Sequence, residues 1–216
     1  MPRLFEIALL IFCSSLLWPQ TETAAVTFTI DFPTSEPEHY SIRVQSDGAA
    51  HYQSSGRLSA DSDTTDSFDH DFKASAETCH KIFDLAAKAN YFQKDVDSHH
   101  KGLAFTGKKT LNYKDARRGG ESTYNYSTNP SVQALTSLMQ SLSATLEFGH
   151  RLQYDHQYQK LALEEELKRM EELSNANELT EVGAIQPILD QIVADPSVIN
   201  VSRARAQRLL ARADPH

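Results

Sequence analysis

The chain has 216 residues, of which 40% are apolar and 23% charged. That is enough to bury a core in one or two domains and too apolar for wholesale disorder. With 29 acidic against 21 basic side chains the net charge is -8, which excludes a protein whose main work is neutralising phosphate, and no nucleic-acid partner is expected.

The N-terminus reads as an export signal over residues 1–25: Arg3, a largely apolar stretch from Leu4 to Trp18, then the small residues Thr23-Ala24-Ala25. The apolar run holds Glu6 and falls short of the roughly 20 residues a bilayer requires. No transmembrane span is expected once the signal is removed, and the mature protein is expected in the periplasm or outside the cell; retention as an N-terminal anchor is the alternative. Cys13, preceded by Phe12 and followed by more apolar residues, reads as part of the removed segment. Cys79 is then the one remaining thiol, so no intramolecular disulfide can form, and its spacing to Ile82 makes it a small buried hydrophobe on a helix face.

Residues 26–150 read as an α+β domain. Val26, Phe28 and Ile30 alternate with polar residues, as do Tyr40, Ile42 and Val44, and Asp47-Gly48 marks a hairpin turn before Ala49 to Gln53. Gly56 to Asp66 is a polar loop, after which Phe68, His70 and Phe72 alternate with Asp69 and Asp71 as a strand with its aromatics inward. Ser75 is placed to cap a helix running to about Asn90, with Cys79, Ile82, Phe83 and Ala86 on its apolar stripe. A second hairpin is expected from Leu103 to Thr106 and Thr110 to Tyr113 around Gly107, then a strand over Thr123 to Tyr126. Asn129-Pro130 starts a second helix. The repeated order of hairpin, strand and helix admits an internal duplication. The expected fold is an antiparallel sheet of about five to six strands covered by helices on one face.

Residues 151–216 read as an all-helical extension. The rhythm of Val132, Leu135, Met139, Leu142 and Leu146 is interrupted at Gly149 and over Gln153 to Lys160, then resumes at Leu163, Leu167 and Met170. A continuous helix to Ser174 would be about 65 Å long and would project from the body. Ile185, Ile188, Leu189, Ile192 and Val193, then Val198, Val201, Leu209 and Leu210, describe a terminal helical hairpin. Its last helix carries Arg203, Arg205, Arg208 and Arg212, which either pair with the acidic Glu164 to Glu181 region or form a docking surface for another protein or for anionic lipid, the last opposed by the net charge.

The segment Tyr40 to Tyr52, YSIRVQSDGAAHY, resembles the first hairpin of a domain family of unknown function found in secreted bacterial proteins. That resemblance implies an exported setting and no particular activity.

No nucleophile elbow, H-E-x-x-H, phosphate loop or paired C-x-x-C is present. Gly107-Lys108-Lys109-Thr110 resembles the end of a phosphate loop, but the strand that follows it marks a hairpin turn. Among nine histidines, His99 and His100 beside Asp95 and Asp97 form the one candidate metal set, for zinc or copper, against the plainer reading of a solvated loop. No cofactor is expected. Two functions remain: a non-enzymatic module that binds a protein partner, or itself, through the helical C-terminus, and a small-ligand-binding or enzymatic α+β domain using the sheet face and Tyr113, Tyr124 and Tyr126.

Overall fold

The computed structural model describes residues 23–57 and 65–213. Most of the expected signal, including Cys13, and part of the expected polar loop after Gly56 lie outside the described residues. Ala25, the residue after which cleavage is expected, is the first residue of strand β1 (Ala25–Asp31) and is buried.

Four strands precede the first helix: β1, β2 (His39–Gln45), β3 (Ala49–Arg57) and β4 (Thr65–Lys73). Then come α1 (Ala76–Lys88), β5 (Lys108–Lys114), β6 (Gly119–Tyr124) and α2 (Pro130–Tyr158). The six strands form one antiparallel sheet in the order β4-β3-β2-β1-β5-β6. The α+β class, the strand number and the helical C-terminus are therefore as expected from the alternation. The register places Phe28 between Ile42 and Leu111, and Ile42 beside Tyr52, so one face is apolar across the central strands and takes both helices.

The second hairpin differs from expectation. It is β5–β6, turning through Asp115, whose carboxylate accepts from the backbone amides of Arg117 and Arg118. Leu103 to Thr106 is not a strand, because a side chain takes the place of a strand partner: Asn125 accepts from the Thr106 amide at 2.9 Å and donates to the Ala104 carbonyl at 3.0 Å. Lys109, on the inward face of β5, is buried and donates from Nζ to the carbonyls of Thr106, Gly107 and Asn125. With four strands before α1 and two between α1 and α2, the described residues do not repeat the order of hairpin, strand and helix that admitted an internal duplication.

Gly120 of β6 packs against a left-handed turn. Asn90, Tyr91 and Phe92 all have positive φ (52°, 53° and 59°), and a Cβ on Gly120 would stand 2.2 Å from the Tyr91 carbonyl oxygen. Only a glycine permits that approach of two backbones.

The helix begun at Asn129, whose side chain accepts from the Ser131 and Val132 amides, ends at Tyr158 and does not run on to Ser174. Gln159 leaves helical geometry (φ -142°, ψ 56°), and α3 (Leu163–Asn175) folds back antiparallel, burying Leu163, Leu167 and Met170. The antiparallel register is fixed by Arg151 bonding Glu166 and by Ser141 donating to the Glu178 carbonyl. The single helix of about 65 Å expected from Pro130 to Ser174 is thus replaced by two shorter ones packed on each other. α4 (Gln186–Ala194) and α5 (Asn200–Ala213) complete the chain as the expected hairpin. The boundary expected at residue 150 falls inside α2, and one buried apolar cluster runs from Val26 on β1 to Leu209 on α5. Glu181, just before the 3-10 turn at Val182–Ile185, reaches back to Ser75: it accepts from the Ser75 hydroxyl at 2.6 Å and from its amide at 3.1 Å. Among the described residues no helix is long and apolar enough to cross a membrane.

Candidate functional site: a carboxylate cleft at the edge of the sheet

The helices cover β1, β2 and β3 better than the edge strand β4, whose inward residues Asp66, Phe68, His70 and Phe72 stay half-buried. Where the second half of α2 passes over this edge it leaves a cleft of about 460 Å³. Ser54, Asp66 and Phe68 form its sheet side, Glu147, His150, Arg151, Tyr154 and Asp155 its helix side, and Glu36-Pro37 of the β1–β2 loop its rim. A second hollow of about 420 Å³ lies on the other side of Glu36-Pro37 and shares Glu147 and Arg151 with it.

Glu147 is the central group. It follows the buried Leu146 on α2, so its side chain turns toward the sheet with only 12% exposed. Oε1 accepts from the Tyr52 hydroxyl at 2.6 Å and the Ser54 hydroxyl at 2.7 Å. Since Tyr52 donates to Glu147, the 2.9 Å contact between Tyr52 and Ser143 is a donation from the serine. Burial alone would push the Glu147 carboxyl up, but His150, Tyr52 and Ser54 together hold it below its ordinary value. The Tyr52 phenol is pushed far up by burial and then by the Glu147 charge. The proton therefore sits on Tyr52 and the negative charge on Glu147.

One helical turn on, His150 lies between two carboxylates. Its Nδ1 is 3.8 Å from Glu147 Oε2 and its Nε2 3.5 Å from Asp66 Oδ2. The imidazole stacks on Phe68 with centroids 4.3 Å apart and planes within 4°, and the stack continues along β4 through His70 to Phe72. Arg151 bonds Glu166 of α3 and lies over the Phe148 ring. Burial and the nearby Glu166 charge raise the Asp155 carboxyl, with Arg151 opposing them. The cleft thus presents a fixed carboxylate, an imidazole set between two acids, and an aromatic wall.

The candidate metal residues lie elsewhere. His99 Nε2 bonds Asp95 at 2.7 Å and its Nδ1 is 3.6 Å from Asp97. Asp97 accepts from the amides of His99 and Asn125, and the His100 amide meets Ser98 Oγ. The loop is organised by its own backbone amides, and among the described residues no three His, Cys, Asp or Glu side chains are disposed to hold a metal ion. Cys79 is buried on α1, and burial raises its thiol pKa.

Of the tail arginines, Arg205 and Arg208 converge on Glu171 at 2.5 Å each, Arg205 also reaches Glu164 at 3.4 Å, Arg203 bonds Asn200, and Arg212 is exposed on the last turn of α5. Opposite-charge pairing within the chain is the alternative that holds for Arg205 and Arg208. The expected tyrosines do not share a site: Tyr113 donates to Asp115, Tyr124 is buried against Thr136 with its phenol pushed up to about 12 by burial, and Tyr126 is exposed beside Gln133.

Sequence reasoning missed Glu147, His150, Asp66 and Asp155. The available signal was a Glu and a His three residues apart, a spacing that puts both on one helix face, beside the buried positions Leu142 and Leu146. Compared with known proteins, the chain matches no family model and no curated protein.

Proposed function

We propose that the protein binds a small organic ligand in the cleft between β3, β4 and the second half of α2. The observation that carries this is Glu147: a mostly buried, ionised carboxylate with one oxygen pinned by Tyr52 and Ser54 and the other left toward His150 and the cleft. Tyr52, Ser54 and His150 hold this charge in place within the chain, so it stands ready at the cleft wall without the cost of being uncovered. The apolar N-terminus and the hairpin resemblance support an exported setting. Ligand-observed NMR with a chemically mixed fragment set tests the reading. Hits on the full chain that disappear in both Glu147→Gln and Phe68→Ala support it; no hits, or hits that survive both substitutions, overturn it.

A second reading, self-association or binding of a protein partner, rests on the turn between α2 and α3, where Tyr158 and Leu161 are 63% and 82% exposed. The apolar residues Ile188, Leu189, Ile192 and Leu209 of the tail are buried in the chain's own core, so this turn is the better contact surface. Light scattering on the full chain and on Leu161→Glu tests the self-association branch: a dimer that becomes a monomer supports it, and a monomer in both cases removes it.

A further inference from the structure

We propose that the ligand of the cleft is an organic cation, a small molecule carrying an ammonium or guanidinium group; this rests on the reading of the cleft as a ligand site. The cleft offers acceptors that the described residues meet only in part. Glu147 Oε1 already accepts two hydrogen bonds, but Oε2 has His150 Nδ1 at 3.8 Å, beyond hydrogen-bond reach. Asp155 faces the same space with Arg151 as its nearest compensating charge, and Arg151 is already bonded to Glu166. Glu36 stands exposed at the rim.

Charge points the same way. Among the described residues, four carboxylates, from Glu36, Asp66, Glu147 and Asp155, line the cleft against the fixed cation Arg151, which Glu166 neutralises, and the imidazole of His150. An anionic ligand would be repelled by most of the wall. A neutral ligand could donate hydrogen bonds but would leave the like charges uncompensated. A cation meets both needs, and Tyr154, 46% exposed, offers aromatic surface to its charge or its hydrocarbon stem. The volume, about 460 Å³, suits a small organic molecule.

The test is titration calorimetry on the full chain with agmatine and spermidine as cationic probes, maltose as a neutral probe and citrate as an anionic one, at low and high salt. The expected result is saturable binding of the amines alone, weakened by salt and weakened about tenfold or more in Asp155→Asn, as for loss of one charged hydrogen bond. Among the described residues the Asp155 side chain makes no hydrogen bond, so Asp155→Asn carries the test if Glu147→Gln fails to fold by circular dichroism. Binding of maltose or citrate without the amines, abolished by Phe68→Ala, overturns the cation and leaves the cleft as a ligand site. Silence from all four probes together with an empty NMR screen overturns both.

Discussion

Gly149 of α2 lies against Ile185: a Cβ built on the glycine would stand 2.4 Å from Ile185 Cγ2 and 3.1 Å from its Cβ. A mid-helix glycine costs about 1 kcal/mol relative to alanine in propensity alone, and here it lets the turn before α4 seat on α2. Gly149→Ala is therefore expected to destabilise the protein by about 1–3 kcal/mol, because overpacking outweighs the gain in helix propensity. Urea unfolding of Gly149→Ala, Ile185→Ala and the double variant checks this. The double variant should be more stable than the sum of the two single effects allows, and simple additivity would contradict the contact.

Lys109 yields a second prediction. It is 5% exposed, and its Nζ reaches three carbonyls and the Thr106 hydroxyl, joining the irregular segment before β5 to Asn125 beyond β6. Lys109→Met keeps the stem and removes the donors, so the loss should be about 1–3 kcal/mol. Hydrogen exchange should show lost protection at Thr106 before the central strands are affected. An unchanged melting temperature would refute the role.

Tyr52→Phe separates burial from hydrogen bonding at Glu147. Without the phenol, Glu147 Oε1 loses one of its two donors, and burial, which raises the carboxyl, is opposed by less. The Glu147 titration midpoint, followed by carboxyl-carbon NMR, should move up, with about 1 kcal/mol lost from stability. A midpoint that stays where it is would show that His150 and Ser54 suffice.

Acid should weaken the joint between α2 and α4. Asp195 accepts from Lys160 at 2.6 Å, from the Ser197 hydroxyl and amide, and from His156 at 3.0 Å, and these donors hold its carboxyl well below the ordinary aspartate value of about 3.9. A depressed carboxylate contributes stability that is complete above the unfolded value and is lost as pH falls through the folded one. The gap in melting temperature between the protein and Asp195→Asn should thus be full above about pH 5 and shrink progressively as pH falls from about 4 toward the depressed folded value. A gap independent of pH would exclude the charge as its source.

The fold was largely legible because its signals are local. Alternation marked β1 to β4, Ser75 and Asn129 marked two helix starts, and three-four spacing marked the tail. The second hairpin was misplaced because the Asn125 side chain, about twenty residues away, satisfies the backbone between Ala104 and Thr106, and no periodicity records such a bond. The cleft was harder still. Tyr52 and Glu147 are 95 residues apart, and in the sequence each looks ordinary: one closes a strand and the other is a single acid in an amphipathic helix. The tail arginines drew attention as a run, yet two of them complete ion pairs on α3.

The bond between Ser75 and Glu181 crosses 106 residues. Ser75 caps α1 by accepting from the Thr78 amide, while its own amide and hydroxyl depend on an acid that leaves the ribosome long afterwards. The first helix is therefore finished by a segment made about a hundred residues after it, so its cap is complete only once that later stretch has folded onto it.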